Sequence, residues 1–238
     1  MVLPRYLAMT AAEITGIPNP SFPVAYMSCQ FSPYTEGLTN IPAFLPQGCM
    51  LMLNDRMPCQ GHSADLVAHQ LQEVVDRCGC ESVLLDFQRP PEPESEWMVK
   101  QIIQSLSVPV AATETYGTGL PCPVFLPPVP LHMPLAEYLA PWQNREVWLE
   151  AALCQEDLHI TPKGMSYNVI FPTDMLTGGY YDEALCCHYQ SQIDDDQITF
   201  TLFDTAESLE RKLNLAAELG VSRAVGLYQE LGTFLTGK

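Results

Sequence analysis

The chain has 238 residues, of which 47% are hydrophobic and 16% are charged, and its formal net charge is −17. This composition predicts a folded protein with a sizeable core and excludes an intrinsically disordered chain. The acidic excess argues against binding to nucleic acid or to an anionic membrane through a basic face. No run of about 18 apolar residues occurs, so no membrane-spanning segment is expected.

The start of the chain and its cysteines bear on where the protein works. Residues 1–20 lack a long apolar stretch preceded by basic residues, so we expect a cytoplasmic protein without a signal peptide. Most of the nine cysteines lie within apolar runs, where a small buried side chain fits. Neither the Cys78–Cys80 spacing nor the adjacent Cys186 and Cys187 matches a zinc site. We therefore predict reduced structural thiols, with no metal and no cofactor.

In chain order, the first two thirds of the sequence contain a series of predicted strands. Short apolar runs that end at prolines or polar residues mark them. One segment, 146–153, is ambiguous between strand and helix. The predicted strands are 23–31, 48–55, 82–87, 108–116 and 122–128.

Predicted helices separate several of these strands. The helix over 62–79 has the clearest pattern, because its apolar side chains recur at helical spacing and Ser63 can cap its start. A second helix covers 95–107, with Ser95 as its predicted N-cap. A short helix follows at 135–142.

The last third of the chain has a strong strand and helix pattern. Two strands are predicted over 184–193 and 197–204, with a turn of aspartates between them. A capped helix covers 205–220 and ends at a glycine. The segment 222–232 is predicted to be the closing strand.

The order of these elements predicts the fold class. Strands that alternate with helices over short links indicate parallel β-structure with crossover helices. About eight strands favour an irregular (β/α)8 TIM-type barrel in which loops replace some helices, forming one domain over 1–238. The alternative is a doubly wound open sheet, but no glycine-rich phosphate loop follows the first strand.

Polar side chains at the downstream strand ends are the candidate site, because barrels of this class keep their chemistry at that face. Asp86 stands out, since it lies within an apolar strand and needs a partner when buried. Glu114 is placed at the end of the next strand, on the side of Ala112. Each such position also suits a turn or cap residue. The other candidate binding residues are Asp55, Gln88, Tyr116, Gln190, Tyr228, Gln229 and Glu230.

The mixture of carboxylates, amides and tyrosines at these positions suits a sugar. Hydroxyl groups take hydrogen bonds from such side chains, and an aromatic ring can stack on a pyranose face.

The segment "ITFTLFDTAESLERKLNLAAELGVSRAVGLYQELG" carries a resemblance to a known family. Its Asp204, Ser208, Lys212 and Gly226 match the pattern Y-D-D-x-x-S-x-x-x-K, followed by a helix and a glycine-containing last strand. In this respect 184–232 resembles the end of the catalytic barrel of glycoside hydrolase family 18, the family of chitinases and spore-cortex glucosaminidases. The resemblance implies a TIM-type barrel and an amino-sugar oligosaccharide as ligand.

The family signature D-x-x-D-x-D-x-E on the fourth barrel strand then aligns with Glu81, Leu84, Asp86 and Gln88, of which only Asp86 matches. In the family the glutamate protonates the glycosidic oxygen, and the neighbouring aspartate orients the N-acetyl group of the substrate. Gln88 cannot donate a proton at any useful pH. Tyr228 takes the place of a family tryptophan on the last strand.

Two main hypotheses follow. The first is a divergent, catalytically impaired barrel that binds an N-acetylglucosamine-type glycan or a protein partner at its C-terminal face. The second is an active glycoside hydrolase with Glu114 and Asp86 as its carboxylate pair, about 5–5.5 Å apart in a retaining enzyme or roughly 6.5–9.5 Å in an inverting one. A scaffold with an empty cleft is a third interpretation, and the oligomeric state stays open.

Overall fold

The computed structural model describes residues 3–17, 20–170, 176–194 and 196–235. Its strands are β1 (Arg5–Met9), β2 (Val24–Phe31), β3 (Leu38–Thr39), β4 (Met50–Asn54), β5 (Ser82–Asp86), β6 (Val110–Thr113), β7 (Val124–Leu126), β8 (Val147–Ala151), β9 (Gln155–Thr161), β10 (Gly164–Ile170), β11 (Tyr180–Asp182), β12 (Cys187–Asp194), β13 (Gln197–Phe203) and β14 (Val221–Leu227). Its α-helices are α1 (Ala11–Gly16), α2 (Ala64–Cys78), α3 (Pro93–Ser105), α4 (Glu114–Gly117), α5 (Leu135–Leu139), α6 (Ala206–Glu218) and α7 (Tyr228–Leu235).

Eight parallel strands form a closed barrel. They follow one another in the order β1–β14–β8–β7–β6–β5–β4–β2, and β2 pairs with β1 to close the ring. The short strand β3 is antiparallel to β2 at one edge. The described chain between β2 and β4 contains no helix, and α4 is only one turn long. The structure thus confirms the predicted irregular (β/α)8 TIM-type barrel.

The strands that make the barrel differ in part from the predicted ones. Sequence patterns did not predict β1, and the ambiguous segment 146–153 contains strand β8. The predicted barrel strands 184–193 and 197–204 are wrong as barrel members, because they correspond to β12 and β13, which pair antiparallel. Two residues join these strands, whereas parallel neighbours need a crossover of about a dozen residues.

The antiparallel strands belong to a compact unit that includes Pro128–Asn144 and Ala151–Val221. Its sheet has the order β10–β9–β13–β12–β11. Leu131, Cys187 and Leu202 form its buried cluster. The barrel strands lie in the other compact unit, apart from terminal residues of β8 and β14. One domain over 1–238 stays a prediction.

The barrel strands are buried on both faces, which is typical of parallel sheets. Leu84 and Ala111 belong to a cluster inside the barrel, together with Trp148, which is fully buried. Leu85 and Ala112, each one residue further on, belong to a second cluster that includes the buried faces of α2 and α3. This alternation fixes which strand-end side chains face the barrel interior.

The two longer helices of the barrel start in different ways. Ser63 caps α2 by accepting a backbone N–H, as predicted, and Gly79 ends it with φ of 65°. The prediction for Ser95 is wrong, because Glu92 is the N-cap residue and Ser95 lies in the first turn of α3. The Ser95 hydroxyl accepts the backbone N–H of Glu92 at 2.9 Å, so it still satisfies a helix-end donor.

All nine cysteines are thiols, and eight of them are buried. Within the residues that the structure describes, no three His, Cys, Asp or Glu side chains are grouped so that they could hold a metal ion. In the same residues no helix has the length and apolar character needed to cross a membrane.

Candidate functional site

Two carboxyl groups continue the inward-facing series at the carboxyl ends of their strands. Asp86 ends β5 two residues after Leu84, and Glu150 lies in β8 two residues after Trp148. Both apolar residues belong to the cluster inside the barrel, and side chains two apart in a strand share a face. Both carboxyls are half-buried. They face the opening at the carboxyl ends of the strands, which we call the barrel mouth.

Asp86 is held by the side chain of Gln88. The Gln88 Nε2 atom donates a hydrogen bond of 2.6 Å to Asp86 Oδ1. Burial is the main influence on the pKa of Asp86 and raises it above its ordinary value. The hydrogen bond from Gln88 and the nearby Arg56 act in the opposite direction, whereas Asp55 raises the pKa further.

Glu150 is a site residue that the sequence patterns did not predict. Burial raises its pKa to about 7, and the nearby carboxylates of Asp86 and Glu230 contribute to this rise. Near neutral pH this side chain therefore populates both its protonated and its ionised form. A signal was present, because Glu150 is the single charged residue of the apolar run 147–153.

Asp55 was predicted to bind the ligand, and in the structure its side chain anchors the loop after β5. Its side chain is buried. Its Oδ1 accepts the backbone N–H of Gln88 and its Oδ2 that of Arg89, both at 2.9 Å. The Gln88 side chain itself is exposed. Asp55 thus positions the loop that carries Gln88.

Tyr116 has a similar supporting role. Its ring is buried and packs edge-on against Phe87, with ring centroids 5.5 Å apart. Its hydroxyl donates to Arg89 O at 3.1 Å and also lies 3.1 Å from Ser95 Oγ. Asp55 and Tyr116 line a cavity of about 70 Å³. This cavity is too small for a sugar ring, but Tyr116 also lines a wider cleft of about 460 Å³, so its role as a binding residue stays a prediction.

Glu114 lies outside the inward-facing series. Strand β6 ends at Thr113, and Glu114 is the exposed first residue of α4. Ala112, whose side of the strand it was predicted to share, belongs to the outer cluster. No hydrogen bond or ion pair between Glu114 and Asp86 is found in the described part of the chain. The pairing of Glu114 with Asp86 stays a prediction. The geometry favours Glu150 over Glu114 as the second carboxyl group of the barrel mouth.

The predicted closing strand 222–232 is wrong in its second half, because β14 ends at Leu227 and α7 begins at Tyr228. The Tyr228 ring stacks on Phe22, with centroids 5.9 Å apart and planes 17° from parallel. Gln229 Nε2 donates to Glu13 Oε1 at 3.0 Å. Glu230 is the member of this group that lies near Glu150.

Gln190 was predicted to lie at a barrel strand end, and this prediction is wrong. It is an exposed residue of β12 in the antiparallel sheet. Its Nε2 donates to Thr177 O at 3.2 Å. The error arises because a strand prediction from local residues does not identify the partner strand.

The residues that carried the family resemblance form a buried polar cluster. Lys212 Nζ lies 2.9 Å from Asp204 Oδ1 and 3.0 Å from Oδ2. The Ser208 hydroxyl donates to Asp204 Oδ1 at 3.0 Å, and all three residues are buried. A buried charge pair with these extra hydrogen bonds is a structural element of its unit.

The barrel fold is shared with solved glycoside hydrolases. A mutant of a glycoside hydrolase family 18 chitinase from Cycas revoluta, in complex with (GlcNAc)4, is 11% identical with a TM-score of 0.55, over 98% of this chain and 97% of that one. The spore cortex-lytic enzyme SleL of Bacillus cereus is 13% identical with a TM-score of 0.54, over 99% and 74%. A chitinase of Chromobacterium violaceum is 10% identical with a TM-score of 0.51, over 95% and 93%.

No family model matches the sequence, and no curated protein matches it either. Identities of 10–13% show a common fold and leave activity to be argued from the site. The resemblance seen in the sequence is therefore confirmed at the level of the fold: this chain contains the closed parallel barrel found in family 18 chitinases and SleL.

Proposed function

We propose that the barrel mouth binds an N-acetylglucosamine-type oligosaccharide and has lost the proton donor that family 18 places on its fourth strand. The shared fold supports this choice of ligand, since one structural neighbour was solved with (GlcNAc)4. The mouth offers the half-buried carboxyls of Asp86 and Glu150 and the exposed amide of Gln88. Such groups accept and donate hydrogen bonds to sugar hydroxyl and acetamide groups.

One observation supports the proposal that the proton donor of family 18 is absent. Gln88 stands at the position of the signature glutamate, and its amide donates to Asp86, which matches the signature aspartate, at 2.6 Å. A carboxamide in this place keeps the hydrogen bond that a protonated glutamate would make. It has no proton to transfer to a glycosidic oxygen. We therefore expect the barrel mouth to bind the glycan without the family's acid catalysis.

The proposal is tested by titration calorimetry of the full chain with chitotetraose. We expect binding by the wild type and a loss of about tenfold or more in affinity for Asp86→Ala, the cost of removing a charged hydrogen-bonding group. Asp76→Ala is the matched control, because Asp76 lies on the exposed face of α2. Absence of binding by the wild type would refute the glycan proposal and favour a protein partner.

The alternative of a hydrolase with Glu114 and Asp86 as its pair is tested on Glu114→Gln. If the wild type cleaves a chromogenic chitotrioside and Glu114→Gln abolishes cleavage, this alternative is correct. The exposure of Glu114 on α4 leads us to expect no such effect.

A further inference from the structure

We infer that Glu150 is a relocated proton donor, which gives the barrel mouth hydrolytic activity on the oligosaccharide through a carboxyl group on the seventh barrel strand. This inference rests on the proposed function, because it requires that the sugar occupies the barrel mouth. It assigns to Glu150 the protonation of the glycosidic oxygen, which Gln88 cannot perform.

The position of Glu150 on its strand is the first support. Strand β8 is the seventh barrel strand in chain order, and Trp148 anchors its inner face within the barrel cluster. Glu150 is the next inward residue towards the carboxyl end, where it remains half-buried. A site on a strand positions its side chain more precisely than a site on a loop.

The charged surroundings of Glu150 are the second support. Asp86 faces it from β5 and Glu230 from α7, and both are acidic. The charge of Arg56 lowers the pKa of Asp86, and the carboxylate of Asp55 raises it. Two carboxylates near a buried third favour its protonated form, so its pKa of about 7 suits a general acid at neutral pH.

The chemical step uses one proton and one water. Glu150 transfers its proton to the glycosidic oxygen as the bond from that oxygen to the anomeric carbon breaks. The Asp86 carboxylate stabilises the positive charge that develops on the sugar. Water then adds to the anomeric carbon, and its released proton returns to Glu150. The products are two sugars with free hydroxyl groups, and both carboxyls are restored.

The test measures hydrolysis of 4-nitrophenyl chitotrioside together with calorimetric binding of chitotetraose, on the full chain. We expect turnover by the wild type that falls as pH rises through about 7. Glu150→Gln should lower kcat by about 10²–10⁴-fold with little change in affinity. Glu73→Gln, an identical substitution on the exposed face of α2, should leave both unchanged.

The outcomes separate the two claims. Binding without turnover in the wild type, or turnover within threefold of wild type in Glu150→Gln, would overturn the inference and leave the proposed function standing. No binding by the wild type would overturn both. A thermal melting curve of Glu150→Gln confirms that a loss of turnover does not come from a loss of fold.

Discussion

The side-chain amide of Gln88 donates a hydrogen bond of 2.6 Å to Asp86 Oδ1 at the end of the fourth barrel strand. A glutamate at position 88 would place two carboxyl groups at this distance, and they cannot both be ionised. In the Gln88→Glu variant the new carboxyl group should therefore share a proton with Asp86. This variant should gain acid catalysis. We expect chitotrioside hydrolysis to rise about 10²-fold.

The control for this gain is the double variant Gln88→Glu with Glu150→Gln. It should keep the gained activity, since the new acid at position 88 does not depend on Glu150. A double variant as inactive as Glu150→Gln alone would show that position 88 has no access to the glycosidic oxygen.

A second prediction concerns the pH dependence of stability. The pKa of Glu150 rises from an ordinary value of 4.5 to about 7 in the folded protein. The Glu150 carboxyl thus ionises more readily in the unfolded chain. The free energy of unfolding therefore falls as pH rises from about 4.5 to 7. Glu150→Gln removes this loss, which amounts to about 3 kcal/mol at most. Its Tm should exceed that of the wild type by several degrees at pH 8.

At pH 4.5 the two Tm values should nearly coincide, because the wild-type carboxyl is then protonated in the folded state. Scanning calorimetry at both pH values provides the measurement. Equal Tm values at pH 8 would contradict the buried position of Glu150.

A third prediction concerns the buried pair of Asp204 and Lys212. Lys212→Met leaves the Asp204 carboxylate buried without its cation, which costs about 3–5 kcal/mol. Urea denaturation should show this as a lower midpoint. Arg211→Met is the matched control, since Arg211 is half exposed and pairs with Glu207 on the helix surface. Its cost should stay below about 1 kcal/mol.

A fourth prediction concerns the loop anchored by Asp55. Asp55→Ala removes the acceptor for the backbone N–H groups of Gln88 and Arg89. We expect faster hydrogen exchange at these two amides and a destabilisation of about 2–4 kcal/mol. Affinity for chitotetraose should fall as well, because Gln88 loses its fixed position. Unchanged exchange at both amides would show that Asp55 does not hold the loop.

Part of the site could be predicted because its signals are local. Asp86 stands at the end of an apolar run, so its position at a strand end follows from neighbouring residues alone. Glu150 escaped prediction because the run around it suits a helix as well as a strand. Glu150 is shown to face inward only because it lies two residues after Trp148 in a strand, and Trp148 faces the barrel interior.

The sequence by itself determined the type of fold, the acidic and apolar composition and the amide at position 88. These follow from local patterns and residue identity, which need no knowledge of distant pairing. Only the tertiary structure decided which strands close the barrel and which carboxyls meet in its mouth. Segments 184–193 and 197–204 are strands, as predicted, but they pair antiparallel outside the barrel. The order of strands in the barrel depends on contacts between residues far apart in the chain, and a local strand pattern does not identify the partner strand.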